Sequence, residues 1–134
     1  MASIHREIRI DAPAGAIWGA LRDVGALHIR LVPEFVTGCA LDGEAREVTF
    51  GNGMQVRELI VSVDVGAMRV AWSAVGGRLR HHNASAQVFA EGKGASRVVW
   101  IADLLPHELA PAIAVMIEQG LAAMKTHLEA STTG

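Results

Sequence analysis

The chain has 134 residues, a formal net charge of −2, 51% hydrophobic residues and only 19% charged residues. Such a length suits one domain that can bury roughly two-thirds of its unfolded surface, so neither a metal nor a disulfide staple is required. No basic cluster stands out, which argues against recognition of nucleic acid by phosphate neutralisation. The single cysteine, Cys39, rules out a disulfide framework and a zinc ribbon and reads as a small half-buried strand residue. The opening "MASIHREIRI" lacks the apolar core of a signal peptide, and no apolar run approaches the ~20 residues of a membrane span. A cytoplasmic protein without a membrane span is therefore expected. The charge fraction lies below the roughly 25% usual for soluble domains. Two readings of that deficit stay open: a tightly packed, alanine-rich fold, or an internal apolar cavity that adds buried lining without adding surface.

In chain order, "SIHREIRI" places Ile8 and Ile10 on one face of a first strand. Asp11 is expected to cap a following helix, with Pro13 where no amide donor is needed. "PAGAIWGALRD" puts Ile17, Ala20 and Leu21 on one helical face. Gly25 ends that helix or starts a second short one through Leu27, His28 and Leu31, and Pro33 stops it. From Phe35 to Asp103 the texture is that of strands: "FVTGCALD", "AREVTFG", "MQVRELIVSVD", "MRVAWSAV", "LRHHNASAQVFAE" and "SRVVWIADLL". Turns rich in glycine or acid separate them, the signature of an antiparallel meander. After Pro106 the period changes. Leu109, Ile113, Met116, Ile117, Leu121, Met124 and Leu128 form a stripe at helical spacing, which predicts a long amphipathic C-terminal helix. "STTG" reads as a frayed tail, so a single domain over residues 1–130 and a disordered 131–134 are expected.

One long helix has one apolar stripe, and an antiparallel sheet of six to seven strands has one apolar face. The economical packing wraps the sheet around the helix. Such a sheet is too wide for one helix to fill, and the geometry leaves room for a cavity between them.

Four stretches resemble the START-like superfamily, also called SRPBCC or Bet v 1-like. The nearest likeness within it is the polyketide cyclase/dehydrase and lipid-transport family. "IDAPAGAIWGALRDVGALH" is similar to its strand–helix opening, with Trp18 before Asp23. "VPEFVTGCALDGEAREVTFGNGMQVRELIVSVD" is similar to the run in which a proline, here Pro33, precedes two strands and a third that carries an arginine–glutamate pair, here Arg57 and Glu58. "MRVAWSAV" sets Trp72, and "SRVVWIADLLP" sets Trp100, where the family places aromatics. The chain departs from the pattern in "LHIRLVP", where Ile29 and Leu31 replace a common tryptophan, and at "HHNAS", where His81 or His82 replaces an aromatic. Both departures fall on expected cavity walls. The resemblance implies an α+β helix-grip fold: a curved antiparallel sheet around the C-terminal helix, with two short helices after the first strand. It further implies binding of an apolar or aromatic small molecule, lipid or polyketide-like. The alternative it carries is a polyketide cyclase/aromatase or dehydratase that uses His and Glu acid–base groups.

Strand alternation assigns the facing. With Arg97 and Asp103 outward, Val98, Trp100 and Ala102 point inward. With Arg69 outward, Val70 and Trp72 point inward. With Ser85 and Gln87 outward, His82, Ala84, Ala86 and Val88 point inward, and His81 and Asn83 are solvated unless a bulge near Gly77 reverses the register. Glu58 either approaches the cavity or pairs with Arg46 or another arginine across strands at its rim. His28, on the second short helix, is either a general acid–base partner for His82 or an exposed or capping histidine. The candidate catalytic groups are thus His28, His82 and Glu58. The candidate ligand wall comprises these with Trp72, Trp100, Leu31, Val70, Met116, Ile117 and Gly120, the last a glycine that interrupts the helical stripe. Met54 and Met124 would add adaptability to that wall. Adjacent strand histidines point to opposite faces, so His81 and His82 make a poor metal pair, and no metal is expected. There is no G-x-S-x-G, phosphate loop, H-E-x-x-H or dinucleotide fingerprint, so no cofactor is expected. The expected partner is a hydrophobic small molecule, with the protein a monomer or homodimer.

Overall fold

A computed structural model describes residues 2–133. Seven antiparallel strands form one sheet: β1 (Ala2–Ile10), β2 (Val36–Asp42), β3 (Ala45–Phe50), β4 (Gln55–Asp64), β5 (Arg69–Val75), β6 (His81–Ala90) and β7 (Ser96–Leu105). Helix α1 (Ala14–Leu21) and a π-helical turn over Leu27–Leu31 follow β1, and helix α2 (Ala110–Thr133) ends the fold after a 3-10 turn. The spatial order is β1-β7-β6-β5-β4-β3-β2. Six strands thus form a simple meander, and β1 closes onto the last of them. This is the helix-grip architecture.

The strand boundaries follow the alternation. Along β7, Ser96, Val98, Ala102 and Leu104 are buried, whereas Ile101 is exposed. Ser96 is tolerated at full burial because its hydroxyl donates to the Ala12 carbonyl at 2.8 Å. Helix α1 buries Ile17, Trp18, Ala20 and Leu21. Each large apolar side chain so removed from water contributes about 1.5–3 kcal/mol. Asp11 does not cap this helix. Pro13 holds the N-cap position, while the Asp11 carboxylate pairs with Arg9 and its amide donates to Glu129 at 2.8 Å.

Helix α2 is anchored from Ile117 onward. Arg6 meets Glu118 at 3.1 Å, Lys125 donates to the Arg9 carbonyl at 3.0 Å, and Ile117, Leu121, Met124 and Leu128 are buried beneath it. The helix continues through Thr133, into the stretch the sequence assigns to a tail, and the Thr132 hydroxyl donates back to the Leu128 carbonyl. The 3-10 turn and the first two turns of α2 are less covered: Leu109, Ile113 and Met116 are only half-buried. There the helix and the sheet part. No helix among the described residues is long and apolar enough to cross a membrane.

Candidate functional site

The gap between sheet and helix is a cavity of about 510 Å³. Its wall is apolar except for Arg46, Glu58 and His82, with Gln55 and Arg78 near the opening. The opening lies where wall residues are exposed: Met54 and Gln55 at the start of β4, Val75 to Arg78 from the end of β5 into the loop before β6, and Ala112 at the start of α2. Deeper in, Trp72 and Trp100 meet edge to face, ring centroids 5.6 Å apart.

The polar wall groups share one level of the sheet. Arg46 of β3 is in register with Glu58 of β4, and Glu58 with Ala74 of β5. The ladder between β5 and β6 ends at Trp72 and Ala84. Beyond it the Ala74 amide donates to His82 Nδ1 at 2.9 Å, so the imidazole takes the place of a backbone acceptor. Residues opposite one another across antiparallel strands share a face. Arg46, Glu58, Ala74 and His82 therefore form a row across the concave side, one step in from Val48 and Val56 and one step short of Trp72.

Arg46 Nε donates to Glu58 Oε1 at 2.8 Å, the two side chains being 4% and 11% exposed. Arg46 also donates to the Val24 carbonyl at 3.2 Å, and its guanidinium lies 5.4 Å from the Trp72 ring centroid. A charge so far from water persists only when paired and hydrogen-bonded, and this one is both. Glu58 thus pairs with Arg46, buried rather than at an exposed rim, and stands among the residues that line the cavity. For His82, burial pushes the imidazole pKa below its ordinary value, with the neighbouring His81 adding to the effect. Because Nδ1 accepts from Ala74, the neutral ring carries its proton on Nε2.

Of the residues expected on the wall, Leu31, Glu58, Val70, Trp72 and His82 line the cavity, as do Trp100, Met116 and Ile117. His28 and Gly120 do not. The π-helical turn spends its inward positions on buried Leu27 and Leu31, which leaves His28 half-buried to one side, its Nδ1 enclosed without a hydrogen-bond partner. Gly120 is buried, and a Cβ there would meet the Trp100 and Phe35 rings. His82 and Glu58 are thus brought together and His28 is not. His81 is exposed, and Asn83 lies on the outer face of the sheet with Gln87 and Arg97. Among the described residues, no group of three or more His, Cys, Asp or Glu side chains has the geometry to hold a metal ion. Sequence reasoning named Arg46 only as a partner for Glu58 and passed over Val48 and Phe50. The signal was present, since Arg46, Val48 and Phe50 alternate along β3 on one face while Glu47 is exposed.

The family profile described as polyketide cyclase/dehydrase and lipid transport matches residues 1–129. The chain belongs to that family. No curated protein matches the chain. Among solved structures, the di-domain ARO/CYC BexL from the BE-7585A biosynthetic pathway is similar with a TM-score of 0.85 and 17% identity, over 100% of this chain and 48% of BexL. Norcoclaurine synthase from Thalictrum flavum, in complex with dopamine and hydroxybenzaldehyde, is similar with a TM-score of 0.72 and 19% identity, over 98% of this chain and 86% of its own. A solution structure from Thermobifida fusca reaches 26% identity and a TM-score of 0.77, over 93% of this chain and 91% of its own. At these identities BexL and norcoclaurine synthase share the Bet v 1-like fold with this family member.

Proposed function

We propose that the protein binds an apolar small molecule in the cavity between sheet and helix α2. One observation carries this reading: a hollow of about 510 Å³ with a dominantly apolar wall and a few convergent polar groups. Ligand sites usually span about 300–1,000 Å³ and combine those two features. The residues we assign to it are Leu31, Val70, Trp72, Trp100, Met116 and Ile117 as the apolar wall, with Glu58 and His82 as polar contacts. Native mass spectrometry of protein purified from its own cells tests the proposal. A co-purifying apolar molecule, or tight uptake of an added aromatic hydrocarbon, is expected. Bare protein that takes up no apolar probe would sink it.

A second reading is favoured by a separate observation. Glu58 and His82 lie on one wall and at one level, where a shared substrate would touch both. In a cyclase-type reaction His82 Nε2–H would polarise a carbonyl, and the Glu58 carboxylate, held by Arg46, would accept an adjacent C–H proton. Turnover of a poly-β-ketone thioester should then fall by about 10²-fold or more in Glu58→Gln and in His82→Phe. Unchanged turnover in either variant rules this reading out.

A further inference from the structure

In the row Arg46–Glu58–Ala74–His82, the His82 ring presents a donor, Nε2–H, that no hydrogen bond to a described residue engages. Arg46 is engaged with Glu58 and with the Val24 carbonyl. The Ala74 amide is engaged with His82. His82 itself is fixed from two directions. Its ring accepts from Ala74 through Nδ1, and its carbonyl accepts from the Ser73 hydroxyl. A neutral imidazole whose Nδ1 is an acceptor is a donor at Nε2 and cannot also accept there. Within this wall His82 is thus a fixed donor rather than a base, set between the opening and the paired indoles of Trp72 and Trp100.

We propose that His82 selects the ligand's polar end: through Nε2–H it donates to a carbonyl or phenolate oxygen of a ring-bearing apolar molecule whose rings lie against Trp72 and Trp100. This rests on the cavity reading above and goes beyond it by naming the chemical class. The ligand carries an acceptor at the level of the polar row and hydrocarbon below it. The donor is pre-set, because turning the ring would strip the Ala74 amide of its partner. A ligand that aims a donor at Nε2 would set two donors against each other and bind more weakly.

The test uses 9-fluorenone and fluorene, rings of one shape that differ by a carbonyl acceptor. Their dissociation constants are measured on the full chain and on His82→Phe by quenching of tryptophan emission. The quantity read is the ratio of the two constants, which cancels their different solubilities in water. In His82→Phe the ratio should move against fluorenone by roughly threefold to tenfold, the usual effect of one neutral hydrogen bond, while fluorene binding persists. An unchanged ratio overturns the proposal and leaves the cavity reading intact; failure of the full chain to bind either compound overturns both. Two measurements on the unaltered protein do not depend on the variant folding. Nitrogen-15 spectra should show Nε2 protonated and Nδ1 bare at neutral pH, and the fluorenone carbonyl stretch should move to lower wavenumber on binding. An Nδ1-protonated ring, or an unshifted stretch, overturns the assignment.

Discussion

His82 is neutral in the fold because burial disfavours the imidazolium and because its Nδ1 must stay bare to accept from Ala74. Its pKa is lowered relative to the unfolded chain, so the unfolded state takes up the proton first as pH falls. Stability from this group is complete above the ordinary value near 6.5 and is lost as pH drops below it towards the folded pKa. Urea unfolding at about pH 7.5 and about pH 5 should show a smaller acid-induced loss in His82→Gln than in the unaltered chain. Equal losses would mean that His82 is not held neutral. The Arg46–Glu58 pair obeys a different rule. Removing one partner strands a buried charge, so Glu58→Leu should destabilise by about 3–5 kcal/mol. The double variant Arg46→Met with Glu58→Leu should recover most of that loss, because two apolar chains replace two desolvated charges. Chemical denaturation of the three proteins checks the sign and the recovery. Cys39 needs no catalytic account: it is half-buried, burial raises its pKa, and its thiol donates to the Val24 carbonyl at 3.6 Å.

At the scale of elements, close approach decides where glycine is needed. A Cβ on Gly51 would run into the Glu34 carbonyl oxygen, in the turn where the Gly51 amide also donates to the Phe35 carbonyl at 2.9 Å. The obstacle is backbone, so Gly51→Ala should lower stability by about 1–3 kcal/mol, read as a drop in Tm. At Gly120 the obstacle is a side chain beside empty space. A Cβ there would lie 2.9 Å from the Trp100 ring and 3.1 Å from Phe35. The indole has the cavity to move into. Gly120→Ala gains about 1 kcal/mol of helix propensity against an overpacking cost of similar size or somewhat more. Its clearest outcome should be weaker uptake of an apolar probe and an altered tryptophan emission, with a stability change within about 1 kcal/mol. The inward faces of β5, β6 and β7 were legible from alternation alone, since no bulge interrupts them. The irregularities fall instead between Val36 and Gly38 and between Ile60 and Ser62, positions that carry no local signal strong enough to place them.

For the whole molecule, the hollow is a stability deficit that an occupant should repair, because wall atoms facing empty space lack van der Waals partners. A ligand at about 100 times its Kd stabilises the fold by about 2.7 kcal/mol, which for a domain of this size corresponds to a Tm rise of roughly 10 °C. Thermal denaturation with and without an apolar aromatic probe measures it. A flat response at saturating probe would show that nothing enters.

What the amino-acid order determined by itself was the element sequence, the facing of most strands, the long C-terminal helix and the mismatch between a wide sheet and a single helix. These depend on local periodicity, and periodicity is written along the chain. What only the tertiary structure decided was which polar groups meet. Glu58 and Arg46 lie twelve residues apart in sequence, and a cross-strand register sets them opposite each other. His82 reaches the Ala74 amide because the β5–β6 ladder stops short of it. His28 falls outside the wall because a π-helical turn gives the inward positions to Leu27 and Leu31. Register, ladder ends and helical pitch follow from the packing of the complete sheet on α2, so no short stretch of sequence specifies them.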